Sequence, residues 1–118
     1  IKHNRIFYLG NLRLHDLISL YKASDYFIHL AWLDHCPNVV VDARACGCQI
    51  ICSSAGGTVE IAGVDAIIIE EDTWDYEPVR LYHPPKLNFD RVGTNTIEPS
   101  FCMKDVSKRY YEFIKELV

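Results

Sequence analysis

The sequence predicts an α/β fold, a Rossmann-like parallel sheet flanked by helices, and three observations carry that expectation. Short, apolar, β-rich runs alternate with segments whose apolar residues recur at helical spacing. The joints between them are brief and punctuated by Gly, Pro, Ser and Asp, which suits strand–helix–strand crossovers, right-handed almost without exception. The chain has 118 residues, 49% of them hydrophobic, a length for one modest core.

The elements follow in order. "RIFYLG", stopped by Gly10, reads as a buried strand. "LHDLISLYKAS" places Leu14, Leu17, Ile18 and Tyr21 on one helical face. "DYFIHLAW" is a second strand. Pro37 then fits the first position of a helix, where a missing N–H costs nothing, and that helix runs to about Cys46 with Gly47 as its C-terminal cap. "CQIICS" is a third strand, "SSAGG" a turn, "TVEIAG" a short helix and "DAIIIE" a fourth strand. Residues 72–102 hold four of the five prolines and no clear period, so an irregular excursion is expected there. Residues 103–118 close the chain as an amphipathic helix, with Val106, Tyr110, Phe113, Ile114 and Leu117 as its stripe and Asp105 near its start. There is no internal repeat or second domain, so residues 1–118 read as one domain. The start at Ile1, on a strand-like run without Met, marks the chain as an excised domain or part of one.

Composition narrows the function classes. A net charge of -4 argues against nucleic acid as the partner, because a phosphate-tracking surface needs an excess of Lys and Arg. The longest apolar runs fall far short of a membrane span, and no signal-peptide pattern opens the chain. Five cysteines, three of them packed between Cys46 and Cys52, fit reduced thiols and a cytoplasmic location better than a disulfide framework. Cys46-x-Cys48, with Cys52, His35 and Cys36 nearby, lacks the paired CxxC spacing of a structural zinc site, so no metal is expected. His29, inside the second strand, is expected to be a core or crevice histidine. His3, His15 and His83 read as surface residues.

Two aspartates, Asp34 and Asp42, carry the chemistry. In an open parallel α/β sheet, ligands bind in the crevice at the carboxyl ends of the strands. Asp34, His35 and Cys36 sit there, between the second strand and the Pro37 helix. A helix N-terminus offers unpaired N–H groups and a partial positive charge, a natural seat for phosphate. The free amides there would be those of Asn38, Val39 and Cys36. The alternative is that Asp34 only caps the helix or pairs at the surface. Asp42 lies about one and a half turns further on, between the small apolar residues Val41 and Ala43. A buried carboxylate needs partners, and a ribose diol held by two charge-assisted hydrogen bonds is a suitable one. The other reading is that Asp42 faces solvent. Gly56 and Gly57 would let backbone approach a ligand closely or adopt positive φ. They lack the GxGxxG spacing of a dinucleotide fingerprint, which disfavours NAD.

Three blocks together resemble a known family. They are "FYLG" at Phe7 to Gly10, "SDYFIHLAWLDHCPNVVVDARACGCQIICSS" at Ser24 to Ser54, and "GGTVEIAG" at Gly56 to Gly63. Over residues 4 to 71 the chain resembles the C-terminal, donor-binding domain of a GT-B glycosyltransferase of the retaining family 4 kind. That family reads roughly as a strand ending in Gly, then a helix leading into "ADLFVLPSxxEGFPNVVLEAMACGxPVIAS", then "GGxxEIV".

The resemblance implies one half of a GT-B fold that binds a nucleotide-diphosphate sugar as substrate, with no cofactor, for transfer of the sugar to an acceptor with retention. The family's two motif glutamates fall on Asp34 and Asp42. The first is implied to lie near the donor sugar and phosphates, as the catalytic position, and the second to hold the ribose hydroxyls. Amides at the helix start, from Cys36 to Asn38 and Val39, are implied to hold the pyrophosphate, with His35 among the donor-binding residues. Gly10, Asn11 and Leu12 would lie beside the base, and Gly56, Gly57 and Glu60 match the family's glycine pair and following acid. The departures are Asp for Glu twice, His35-Cys36 for Gly-Phe, Leu30-Ala31 for Pro-Ser, and Arg44 for an apolar residue. The N-terminal acceptor domain and a basic clamp upstream are lacking, so the fragment alone is expected to be inactive. The parent enzyme is expected to associate peripherally with membranes, and an exposed sheet edge would support a homodimer. Two other readings stay open: a degenerate, non-catalytic GT-B-like domain with an assembly role, and a sugar-nucleotide epimerase of the same architecture.

Overall fold

The structure, a computed structural model, describes residues 4–80, 83–98 and 102–116. Its elements are α1 (Leu14–Lys22), β1 (Tyr26–His29), α2 (Asn38–Ala45), β2 (Gln49–Ser53), α3 (Thr58–Ala62), β3 (Ile67–Glu71), β4 (Leu87–Thr94) and α4 (Met103–Glu116). The strands form one sheet in the order β1-β2-β3-β4. β1, β2 and β3 run parallel, with Ile28 opposite Ile51 and Cys52 opposite Ile68. The Rossmann-like α/β class predicted from the sequence is the one observed.

β2 is central, and its period-two alternation puts Ile50 and Cys52 on the face that the helices cover. Val40 and Ala43, three apart on α2, lie on one helical face and are fully buried with them. Tyr21 from α1 joins this core and meets Phe27 edge-on, ring centroids 5.3 Å apart. The Cys48 thiol donates to the Tyr21 carbonyl oxygen at 3.1 Å, which fixes the C-terminal end of α1 over the start of β2. Asn95, at the end of β4, is buried too. Its Nδ2 donates to the Val59 carbonyl at 2.8 Å and its backbone N–H to Ala66 O at 2.9 Å, anchoring the strand end to α3.

Four expectations are corrected. Arg5–Gly10 is not a buried strand. Phe7 and Tyr8 are 77% and 97% exposed, and no ladder partner lies beside them among the described residues. A β-rich run becomes a strand only when a neighbour supplies N–H and C=O groups, and β1, the edge strand on this side, pairs among the described residues with β2 alone. The second strand stops at His29 instead of reaching Trp32. Pro37 is the N-cap of α2, not its first helical residue. The stretch 72–102 is not irregular throughout, because β4 runs antiparallel to β3 within it, with a register irregularity between Ile69 and Glu70. The sheet is therefore mixed, as sheets with one antiparallel edge strand commonly are.

α4 forms where the sequence places it, yet Tyr110, Phe113 and Ile114 of its stripe stay exposed. Leu117 of that stripe, and His3, lie outside the described residues. No described helix is long and apolar enough to cross a membrane.

Burial pushes the Cys52 thiol up from 9.0 to about 11, and the Cys48 thiol and Tyr21 phenol shift upward as well, again chiefly through burial. The folded state thus holds the Cys52 proton more tightly than the unfolded chain does. That contribution is complete below pH 9 and is lost as the pH rises through about 11. A rise of that size corresponds to roughly 3 kcal/mol. Urea unfolding followed from pH 8 upward should show stability falling across this window, with a shallower fall in Cys52→Ala; parallel slopes would contradict the assignment.

Candidate functional site

Because β1, β2 and β3 are parallel, their carboxyl ends open on the same side of the sheet. The loop from Leu30 to Pro37 leaves β1 there and leads into α2. Its turn is made at Leu33, whose φ of 53° is an uncommon left-handed backbone for a residue with a Cβ. Asp34 and His35 then press their backbone against the glycine turn that follows β2. The Gly57 N–H donates to the Asp34 carbonyl oxygen at 2.9 Å. A Cβ on Gly56 would sit 2.5 Å from the Asp34 carbonyl oxygen, and one on Gly57 would overlap the His35 carbonyl oxygen outright. The close approach that these two glycines permit is therefore to the Asp34–His35 backbone.

Asp34 does not cap α2, whose N-terminus has no side-chain cap. Its carboxylate turns instead to His29, with Nε2 and Oδ2 3.1 Å apart, the imidazole N–H donating. His29 is largely buried at the end of β1, and its ring lies stacked beside Phe27 at 6.3 Å. The expected crevice histidine is thus the partner of the expected crevice acid. In α2 the first carbonyl to accept is that of Pro37, taking the Val40 N–H at 3.0 Å and the Val41 N–H at 3.4 Å. The amides of Asn38 and Val39 precede that ladder and face out of the helix end.

Asp42 lies one turn into α2 and is half-buried. Its carboxylate takes part in no hydrogen bond or ion pair among the described residues. Its charge bears on Tyr21, where it adds to burial in pushing the phenol up. Asp42 is thus on the flank of α2 that faces α1. His35, Cys36, Asn38 and Val39 are exposed around the helix start. Glu60 is exposed in the first turn of α3. Gly10, with φ of 64°, and the exposed Asn11 and Leu12 precede α1, and no hydrogen bond joins them to the Asp34 loop among the described residues. The loop and glycine turn bring Asp34, His35, Gly56 and Gly57 into one contact.

Sequence reasoning did not single out Trp32 and Glu71 at the same edge of the sheet. Trp32 meets Trp74 edge-on, centroids 5.4 Å apart, and Trp74 lies against Tyr76 at 5.0 Å. A tryptophan closing a strand that points into a crevice was the available signal. Arg44, a departure from the family pattern, reaches across to Glu98 with Nη2 and Oε1 2.6 Å apart. Among the described residues no group of three or more His, Cys, Asp or Glu side chains is placed to hold a metal ion.

Parallel strands, crossover helices and a loop crevice at the strand ends define a Rossmann-like α/β domain of the kind that carries ligands at that edge. Residues 2–75 match the family model described as glycosyl transferases group 1. The match spans more than half of the 118 residues, and the chain belongs to that family. No curated protein and no solved structure gives a significant match. The matched span holds the Asp34 loop, α2 and the glycine turn, and it ends before Tyr76 and β4.

The Gly57 contact makes a direct prediction. Gly57→Ala should destabilise the domain by about 2 kcal/mol or more, the scale of a forced overlap against backbone. Thermal unfolding of the variant would reveal it, and an unchanged midpoint would show that the two loops separate freely.

Proposed function

We propose that this glycosyltransferase domain binds the nucleotide-diphosphate sugar donor of a retaining, family 4-like GT-B enzyme. The observation that carries the reading is the start of α2: uncapped, at the carboxyl end of β1, with the unpaired carboxylate of Asp42 one turn behind it. The amides of Asn38 and Val39, aided by the helix dipole, take the pyrophosphate and stabilise the negative charge that grows on it as the sugar departs. Asp42 accepts hydrogen bonds from the ribose hydroxyls. Asp34, held by His29, stands at the donor sugar, and its fixed rotamer reduces the cost of orienting the substrate. His35, Cys36, Gly10, Asn11, Leu12, Gly56, Gly57 and Glu60 complete the surroundings of the donor. No cofactor is needed, since the bond energy of the donor itself drives transfer. The acceptor is supplied by a separate N-terminal domain, in a cytoplasmic enzyme peripherally associated with membrane, and the open edge of β1 is where a homodimer would form.

A second reading, a degenerate GT-B-like domain with an assembly role, draws on one observation: Asp34 is already paired with His29. An epimerase of the same architecture would use the same crevice and release altered sugar without an acceptor.

Titrating the chain with UDP, GDP and ADP separates these readings. The donor reading expects saturable binding of one nucleotide, weakened about tenfold in Asp42→Ala by loss of a charged hydrogen-bond acceptor. Absence of binding by all three favours the assembly role. Sugar transfer by the isolated chain, tested with a nucleotide-sugar panel and a glycan acceptor mixture, is expected to be undetectable. Any turnover would show that this half alone suffices.

A further inference from the structure

A cavity of about 380 Å³ opens at the edge of the sheet where β1 and β3 end. Leu30, Trp32, Pro84, Pro85 and Phe89 give it apolar walls, and Glu71 and Lys86 are its two charged lining residues. Its volume is within the range of small-molecule sites, and its lining follows their usual pattern of apolar walls with few polar groups.

Two details distinguish this cavity from a packing gap. Trp32 is held in place from behind, because Trp74 packs against it at 83° and the Trp74 indole N–H donates to the Glu77 carbonyl at 2.9 Å. Glu71 is fixed as well, its backbone N–H donating to Ser54 Oγ at 3.0 Å. Yet Glu71 Oε2 is buried without a hydrogen-bond partner among the described residues. A buried acceptor left unmatched is costly, and native structures pair the large majority of them.

A fixed aromatic face beside an unmatched carboxyl acceptor, with the Lys86 side chain at the same cavity, suits a ring with one apolar face and a rim of hydroxyl groups that can donate and accept. We propose that this cavity binds a pyranose, its C–H face against Trp32 and a ring hydroxyl donating to Glu71 Oε2. A planar nucleobase fits the stacking but presents its donors along a single edge, whereas a pyranose carries hydroxyl groups around its whole rim. The site is separate from the donor crevice proposed above. It uses neither Asp42 nor the α2 amides, and its far wall, Pro84 to Phe89, lies beyond the residues 2–75 shared with the family.

Trp32 and Trp74 are the two tryptophans of the chain, so their emission reports on this cavity. The test titrates the chain with the methyl pyranosides of glucose, mannose and galactose, and in parallel with uridine and UDP. At least one pyranoside should change the emission saturably. Glu71→Gln, which keeps the shape and removes the charge, should weaken that binding about tenfold. Trp32→Ala, followed by calorimetry and checked for folding by circular dichroism, should abolish it, while Asp42→Ala should leave it unchanged. No saturable response to any pyranoside up to about 100 mM, weaker than the useful range of a sugar site, overturns the proposal, whether or not UDP binds. So does saturation by uridine alone, or a pyranoside affinity that Glu71→Gln leaves unaltered. UDP binding that fails while a pyranoside binds removes the donor reading and leaves this site standing.

Discussion

The crevice depends on one backbone contact, the seating of the Asp34–His35 peptide against Gly56 and Gly57. The contact has no room for a side chain on either glycine, so the distance between the loop after β1 and the turn after β2 is set by backbone van der Waals surfaces and one hydrogen bond. That distance determines where α2 starts. α2 in turn places Val40 and Ala43 in the core and Asn38 and Val39 at the rim. A flexible side chain at this junction would let the loops drift; two glycines meeting bare backbone leave few alternatives.

Burial of the helix-covered face of the sheet supplies the counterweight. Ile50, Cys52, Val40 and Ala43 are almost wholly shielded, and they are small to medium in size, so the core is thin and closely fitted. Thin cores tolerate lost volume poorly because little neighbouring structure can collapse into a gap. The opposite face and the outer edge of β1 carry Tyr26 and Ile28 into the open, and α4 leaves its own apolar stripe uncovered. The domain is thus closely packed where parallel strands and crossovers are complete and loosely covered elsewhere.

Much of this was legible in the sequence for local reasons. Pro37 and Gly47 bracket α2 because Pro37 lacks the N–H that a helix interior would need and Gly47 tolerates the positive φ of 99° just past the helix end, and the Gln49–Ser53 run reads as a central strand because no polar residue interrupts it between Ile50 and Cys52. Arg5–Gly10 failed for the complementary reason: whether a β-rich run pairs depends on a neighbour, not on itself. β4 was hidden because "LNFDRVGT" is an edge strand with mostly exposed, mixed side chains and no alternation to read. Asp34 and Asp42 could be nominated from spacing and family likeness, and the crevice histidine from its place in β1. That His29 and Asp34 would face each other could not be foreseen, because it depends on the backbone turn at Leu33. The cavity beside Glu71 was equally out of reach, since its walls come from three segments far apart in the chain.

Leu33 also sets how that rim behaves over time. A leucine held in left-handed backbone carries about 1–3 kcal/mol of local strain, and here it separates the indole of Trp32 from the carboxylate of Asp34. A segment that starts from raised free energy needs less to open than the core beneath it, so the rim belongs to the low-stability end of the molecule. The residue acts as a sprung joint between the Trp32 indole and the Asp34 carboxylate. Relaxation at Leu33 would move the Trp32 indole and the Asp34 carboxylate together.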